Sequence, residues 1–263
     1  MTGGMHLNKV RKRWSEGLPA ISGWMTSSCP LIGEALAASG LDCVIIDMQH
    51  SATSLADAIG LAAVIELRGA EPFVRVPSLD PALIGKLIDL GVTGIIVPMV
   101  ETRRMAEALV SAVRYPPLGT RSVGPRRPRW RFGEEYFEKA AMSIVTLAMI
   151  ETMKGLGALE EIATTEGLDG VFVGPADLEV ALAGRGPGED CADDNLEEAI
   201  AAIRARTWSL GRRAGIFGGT AKIASQRLAQ GFDLVSTTPD LAAVAATAAK
   251  ELSLLRRPAL RES

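Results

Sequence analysis

Five side chains in this sequence stand at or near the ends of short apolar runs, and their types suit acid–base and metal chemistry. Asp47 and His50 close LDCVIIDMQHS (41–51), Arg75 interrupts PFVRV (72–76), Glu151 ends SIVTLAMIE (143–151), and Asp177 follows GVFVGP (170–175). The chain has two histidines, and His6 lies in a segment with no apolar pattern, so any imidazole chemistry falls to His50. An imidazole titrates near neutrality and can serve as a general base. Two carboxylates with open positions suit a hard divalent cation such as Mg²⁺ or Mn²⁺. Zinc fits less well, with no second histidine and no cysteine near these positions. Arg75, inside an apolar run, needs a carboxylate partner or an anionic substrate.

Each residue also has a plainer reading. Glu151 can be a helix N-terminal acid before TMKGLGALEEI, and Asp177 an N-cap for DLEVALA. Arg75 can form a structural ion pair with Asp47, and His50 can be a satisfied core or loop histidine. Asp89, in LIGKLIDLG, is ordinarily a solvated helix acid. The matched placement of Glu151 and Asp177 on adjacent elements favours metal for that pair.

The elements that must position these groups are eight apolar runs: 20–25, 43–47, 72–76, 94–100, 143–151, 170–175, 213–219 and 232–237. They are continuous rather than alternating, as in parallel strands covered on both faces. Stretches with apolar residues at three-to-four spacing lie between them, among them LADAIGLAAVIEL, RMAEALVSAVR and LAAVAATAAKELSLL. Eight strand–helix pairs close most simply as a (β/α)8 TIM barrel, a single α/β domain over residues 1–263. The open doubly wound sheet is the alternative, but no GxGxxG or GxxxxGK[ST] accompanies a first helix. The connections at 115–142 and 184–195 are too rich in Gly, Pro and charge to read as helix. In a parallel barrel the site lies at the C-terminal strand ends, which is where the five residues fall.

The chain has 263 residues, 48% of them hydrophobic, and a net charge of -3. That is enough for one large core and argues against a nucleic-acid or membrane-surface binder. The partner expected is a small molecule. Cys29, Cys43 and Cys191 form no CxxC pair, which fits a reducing, cytoplasmic setting. No stretch approaches the roughly 18 apolar residues of a membrane span, and the basic N-terminal stretch lacks a signal-peptide apolar region. None of the seven lysines lies in an expected strand, so metal chemistry is favoured over an imine. Arg121, Arg126, Arg127, Arg129 and Arg131 read as a loop or subunit contact.

IDMQHS (46–51), FVRVPSLDP (73–81), IIVPMVETRRMAEALVSAVRYPPLGTRSVGP (95–125), LAMIET (147–152) and LDGVFVGPADL (168–178) resemble the HpcH/HpaI family of metal-dependent 2-oxo acid aldolases. GPRRP (124–128), AGIFGG (214–219) and FDLVSTTPDLA (232–242) are similar to its hydroxy-ketoacid branch, which accepts hydroxypyruvate as well as pyruvate. The resemblance covers almost the whole chain.

It implies a phosphoenolpyruvate/pyruvate-type barrel using Mg²⁺, Mn²⁺ or Co²⁺ on a 2-oxo acid and an aldehyde. It also implies a homo-oligomer, a hexamer built as a trimer of dimers, with the last helix packed on a neighbour. By motif, Glu151 and Asp177 match the metal ligands and His50 the base. Asp89 matches the acid that raises the histidine's basicity, Arg75 the group that stabilises the enolate oxygen, and Asp47 a residue that organises His50 and water. Gly174 to Ala176, through Pro175, matches the turn that holds the pyruvate carboxylate. The expected substrate-binding set also contains Trp24, Gln49, Met149, Asp177 and Phe217. There are departures: Met149 stands where many relatives have glutamine, and Glu179 where serine is common. Phe217 fits the hydroxy-ketoacid branch and differs from smaller or polar residues elsewhere.

The expected chemistry is a reversible aldol reaction making or cleaving 4-hydroxy-2-oxo acids. Two rivals stand beside it. One is a CoA-thioester lyase of the citrate-lyase type, and the other is a catalytically silent barrel serving as a binding subunit.

Overall fold

The structure, a computed structural model, describes residues 8–184 and 193–256. Eight parallel strands close a barrel in sequence order: β1 (Ala20–Met25), β2 (Cys43–Asp47), β3 (Glu71–Arg75), β4 (Gly94–Val97), β5 (Val145–Ile150), β6 (Gly170–Val173), β7 (Arg213–Ile216) and β8 (Leu234–Pro239). β8 pairs back onto β1, Ala20 facing Leu234, so the sheet has no free edge.

Strand period does the sorting. In β2, Val44 and Ile46 join the layer beneath the helices, while Cys43 and Ile45 face the barrel interior with Phe73, Ile96, Leu147, Met149 and Phe172. Interior volume is matched across strands: a Cβ on Gly94 would lie 2.2 Å from Phe73 Cγ, so glycine makes room for the neighbouring ring. The same parity carries inward-facing positions to the C-terminal ends as Asp47, Arg75 and Met149.

The opposite end is closed by a helix that the strand pattern did not reveal, Lys9–Ser15. The Asn8 carbonyl oxygen of the side chain accepts from the Val10 and Arg11 N–H groups, and its amide donates to Thr93 O (3.0 Å) and Ser143 O. Val10 and Trp14 enter the interior cluster, and the Trp14 indole donates to Asp233 O at 2.7 Å. Their i, i+4 spacing was the available signal.

The expectation of an all-loop connection over 115–142 is corrected. Helices Arg127–Phe132 and Tyr136–Ser143 form there, joined by the 3-10 turn Gly133–Glu135. Pro128 sits in a first turn, where its missing N–H costs nothing. The arginines of this stretch pair internally: Arg121 with Asp89, Arg127 with Glu66, Arg131 with Glu71 and Arg129 with Glu134. The connection read at 184–195 falls mostly outside the described residues, and the next helix begins at Asp193. His6 and Cys191 also lie outside them. Among the described residues no helix is long and apolar enough to cross a membrane.

Where β8 meets the final helix, Asp240–Leu255, the Asp240 carboxylate binds the loop after β1. It accepts from Thr26 N and Oγ1 (2.8 and 2.7 Å) and from Ser27 N and Oγ (3.1 and 2.5 Å). Burial pushes its carboxyl up, but these hydrogen bonds together outweigh burial and hold it below the usual carboxylate range. A lowered folded-state value gives stability that is present above the unfolded-state value and lost as pH falls through the folded one. Asp240→Asn should therefore cost about 1.5–3 kcal/mol at pH 7, and the difference should shrink in acid. Urea unfolding of both proteins across pH 2–7 checks this.

Candidate active site

β2 ends at Asp47, whose carboxylate grips Arg75 at the end of β3. Nε donates to Oδ1 at 2.9 Å and Nη2 to Oδ2 at 2.5 Å. The two residues are directly paired in the sheet register, which is why the fork meets the carboxylate squarely. The ion-pair reading of Arg75 is thus observed, and it leaves Nη1 unengaged by Asp47. Arg75 is 8% exposed, and its guanidinium carbon lies 4.7 Å from the centre of the Trp24 ring. Asp47→Ala would strand this buried cation and is expected to cost about 3–5 kcal/mol, measured as a loss in thermal or denaturant stability.

Asp47 Oδ1 also accepts from the backbone N–H groups of Gln49 (3.0 Å) and His50 (3.3 Å). It fixes the turn that presents His50, rather than contacting the ring. His50 is exposed at the rim. Gln49 is half-buried, with Oε1 buried and unpartnered.

Glu151 follows β5 and is 1% exposed. Oε1 accepts from the Met99 N–H at 2.7 Å, while Oε2 is buried without a partner. A Cβ on Gly174 would sit 2.4 Å from that oxygen, so glycine is needed beside it. Burial pushes the Glu151 carboxyl up; the Met99 N–H and the Arg75 charge oppose this, and the nearby Asp177 charge reinforces it. Asp177 is exposed and lies in the first turn of helix Pro175–Ala183, not at its N-cap, which is Gly174. That helix has no side-chain cap, and its first intrahelical bond runs from Leu178 N to Gly174 O. The N–H groups of Ala176 and Asp177 are therefore free of helix partners.

A cavity of about 240 Å³ opens here, lined by Trp24, Thr26, Asp47, His50, Arg75, Met149, Gly174, Pro175, Ala176, Asp177, Phe217 and Pro239. Trp24 and Phe217 meet edge to face, centroids 4.9 Å apart. Thr26 and Pro239 were missed in the sequence because neither carries a group that announces chemistry. Gln49, Glu151 and Glu179 are not among the lining residues; Glu151 stands behind Gly174 and Met149. All seven lysines are described, and none lines the cavity. Cys43 is buried inside the barrel, and burial pushes its thiol well up, away from nucleophile chemistry.

Asp89 is not brought to the mouth. The helix Pro81–Asp89 runs back from the mouth, so its last residue arrives at the other end of the barrel, just before Thr93 and β4. There its carboxylate accepts from Arg121 Nη2 at 2.5 Å, beside Lys86, Thr120 and Ser122. Within one chain it does not support His50.

A closed (β/α)8 barrel with titratable groups gathered on one cavity at the C-terminal strand ends is the architecture of a barrel enzyme. The chain belongs to the HpcH/HpaI aldolase/citrate lyase family, whose model matches residues 21–246, and is a carbon–carbon lyase of the aldolase kind. It is 47% identical to a hydroxypyruvate/pyruvate aldolase of Rhizorhabdus wittichii over 92% of this chain and 96% of the relative. It is 34% identical to a 2-dehydro-3,6-dideoxy-6-sulfogluconate aldolase of Pseudomonas putida, covering 89% and 91%. Among solved structures, an HpcH/HpaI aldolase/citrate lyase family protein of Burkholderia cenocepacia superposes with a TM-score of 0.87 at 30% identity, covering 95% of this chain and all of the other.

Proposed function

We propose that this protein catalyses a reversible, divalent-metal-dependent aldol reaction between pyruvate or hydroxypyruvate and an aldehyde, forming and cleaving 4-hydroxy-2-oxo acids. The observation that carries this reading is the gathering of His50, the Asp47–Arg75 pair and Asp177 around one cavity, with the unpartnered Glu151 Oε2 directly behind its wall. The hydroxypyruvate/pyruvate name of a relative 47% identical supports the choice of donor.

A carbon beside a ketone is a weak acid, so its deprotonation near neutral pH needs positive charge at the ketone oxygen. Glu151 and Asp177 are the residues that would hold a cation. A buried oxygen without a donor, on a carboxyl pushed up by burial beside a second carboxylate, suits a hard divalent ion such as Mg²⁺, Mn²⁺ or Co²⁺. Such a cation supplies Lewis acidity and a chelation point for the 2-oxo acid.

The remaining work falls to the chain. The Ala176 and Asp177 N–H groups receive the substrate carboxylate at a helix N-terminus. Arg75, locked by Asp47 and Trp24, turns its remaining charge toward the developing enolate oxygen. His50 takes the proton from the donor carbon, and a proton is passed to the aldehyde oxygen as it becomes the hydroxyl; in cleavage the hydroxyl gives up its proton and the donor carbon regains one. Trp24 and Phe217 shape the apolar side that receives the aldehyde.

The reading extends to assembly. The final helix leaves Leu241, Val244, Leu252, Leu254 and Leu255 between 45% and 83% exposed, more apolar surface than a lone helix keeps in water. A homo-oligomer, a hexamer by the family resemblance, covers it; light scattering should give a mass several times the 27.8 kDa of one chain. Any pairing of His50 with Asp89 would then have to come from a neighbouring copy. A reducing, cytoplasmic setting is proposed from the cysteines, of which Cys29 and Cys43 are free.

Purified protein given Mg²⁺, Mn²⁺ or Co²⁺ should turn over pyruvate or hydroxypyruvate with simple aldehydes, and EDTA should stop it. No turnover with any donor, or turnover indifferent to EDTA, overturns the proposal.

A further inference from the structure

We infer that Met99 is a positioning residue, holding its backbone in a left-handed conformation so that its N–H fixes one oxygen of Glu151 and leaves the other free for a cation. The inference rests on the reading of Glu151 as a metal ligand given above.

Among the described residues Met99 alone, apart from glycines, has a positive φ, 54°. A side chain with a Cβ pays for that conformation, and the cost is kept only where surroundings impose it. Side-chain packing does not impose it here, because Met99 is 45% exposed. The backbone does. β4 ends at Val97, Pro98 has no N–H to continue the ladder, and the next amide turns to Glu151 Oε1 at 2.7 Å. On the far side, the Val100 carbonyl packs so closely on Gly155 that a Cβ there would be 2.7 Å away, so the turn is seated directly against helix Met153–Gly157.

Glu151 is thus fixed from two directions. The Met99 amide holds Oε1 with one hydrogen bond, and the missing Cβ of Gly174 leaves room for Oε2. A carboxylate held this way meets a cation with one prealigned oxygen, and does not have to be ordered on binding. The sequence motif around Met99 gave no hint of this, since the contribution is a backbone angle rather than a side chain.

The test is calorimetric titration of Mn²⁺ into metal-stripped protein for wild type and for Met99→Gly, Met99→Ala, Met99→Val and Met99→Pro, with thermal unfolding of each. Wild type should bind Mn²⁺. Glycine keeps the amide and accepts the angle, so M99G should bind within about twofold of wild type and melt at the same or a higher temperature. M99A should also bind like wild type, since the side chain is not the carrier. M99V keeps the amide but opposes the angle, and M99P removes both; each should weaken Mn²⁺ binding by about tenfold or more. If M99P fails to fold, M99V decides. Folded M99V and M99P binding Mn²⁺ as tightly as wild type would overturn this inference alone, as would M99G weakening as much as M99P. Failure of wild type to bind Mn²⁺ would overturn both it and the metal reading.

Discussion

Replacing Glu151 with glutamine is expected to abolish measurable divalent-metal binding and to lower aldol turnover by about 10³-fold or more, the scale of losing a preorganised charge stabiliser. The substitution keeps size and can keep the Met99 hydrogen bond, so it isolates charge from shape. Because the Glu151 carboxyl is pushed up by burial, with its Oε2 unpartnered, the neutral amide should not destabilise the fold. Compared metal-free, Glu151→Gln should therefore unfold at or above the wild-type temperature, and it should fail to bind metal. Loss of both fold and metal would make Glu151 a structural residue. Metal retained with full turnover would remove it from the site.

His50→Ala should separate binding from proton transfer. Its ring is exposed at the rim and the carboxylate that shapes its turn contacts only its backbone, so the Asp47–Arg75 pair should survive the change. The variant is expected to keep metal affinity within about twofold and to lose about 10²–10⁴-fold in proton exchange at the pyruvate methyl, the range for a removed general base. Exchange retained in His50→Ala would assign the base elsewhere.

The barrel and most of its mouth were legible because strand parity and strand ends are written in residue type. Apolar runs ending in Asp47, Glu151 and GPAD mark both a parallel strand and the end at which polar groups gather. Trp24, Met149 and Phe217 needed more, since an aromatic or methionine reads equally as core; only the closed register places Trp24 against both Arg75 and Phe217. Two features needed more than the local sequence. Asp89 was matched by motif to support of His50; a helix returning from the mouth delivers it to the far end of its own barrel, so that role would fall to a neighbouring copy. The helix Arg127–Phe132 was hidden because its arginines are held by Glu66 and Glu71, residues some 60 positions earlier, and Tyr136–Ser143 because it is seated by the buried Tyr136, whose hydroxyl accepts from Arg121. Met99 and Asp240 lie beyond sequence reading altogether. One acts through a backbone angle, the other through a carboxylate that joins the two ends of the sheet.

The central claim is that this mouth forms an enolate from a 2-oxo acid with help from a divalent cation, and deuterium exchange at the pyruvate methyl, followed by proton NMR in D₂O without any aldehyde, tests it most directly. With Mg²⁺, Mn²⁺ or Co²⁺ restored to metal-stripped protein, the methyl signal should disappear at a rate proportional to enzyme, and excess EDTA should return it to the uncatalysed rate. A methyl signal that persists with every metal, or exchanges equally in EDTA, would contradict the account.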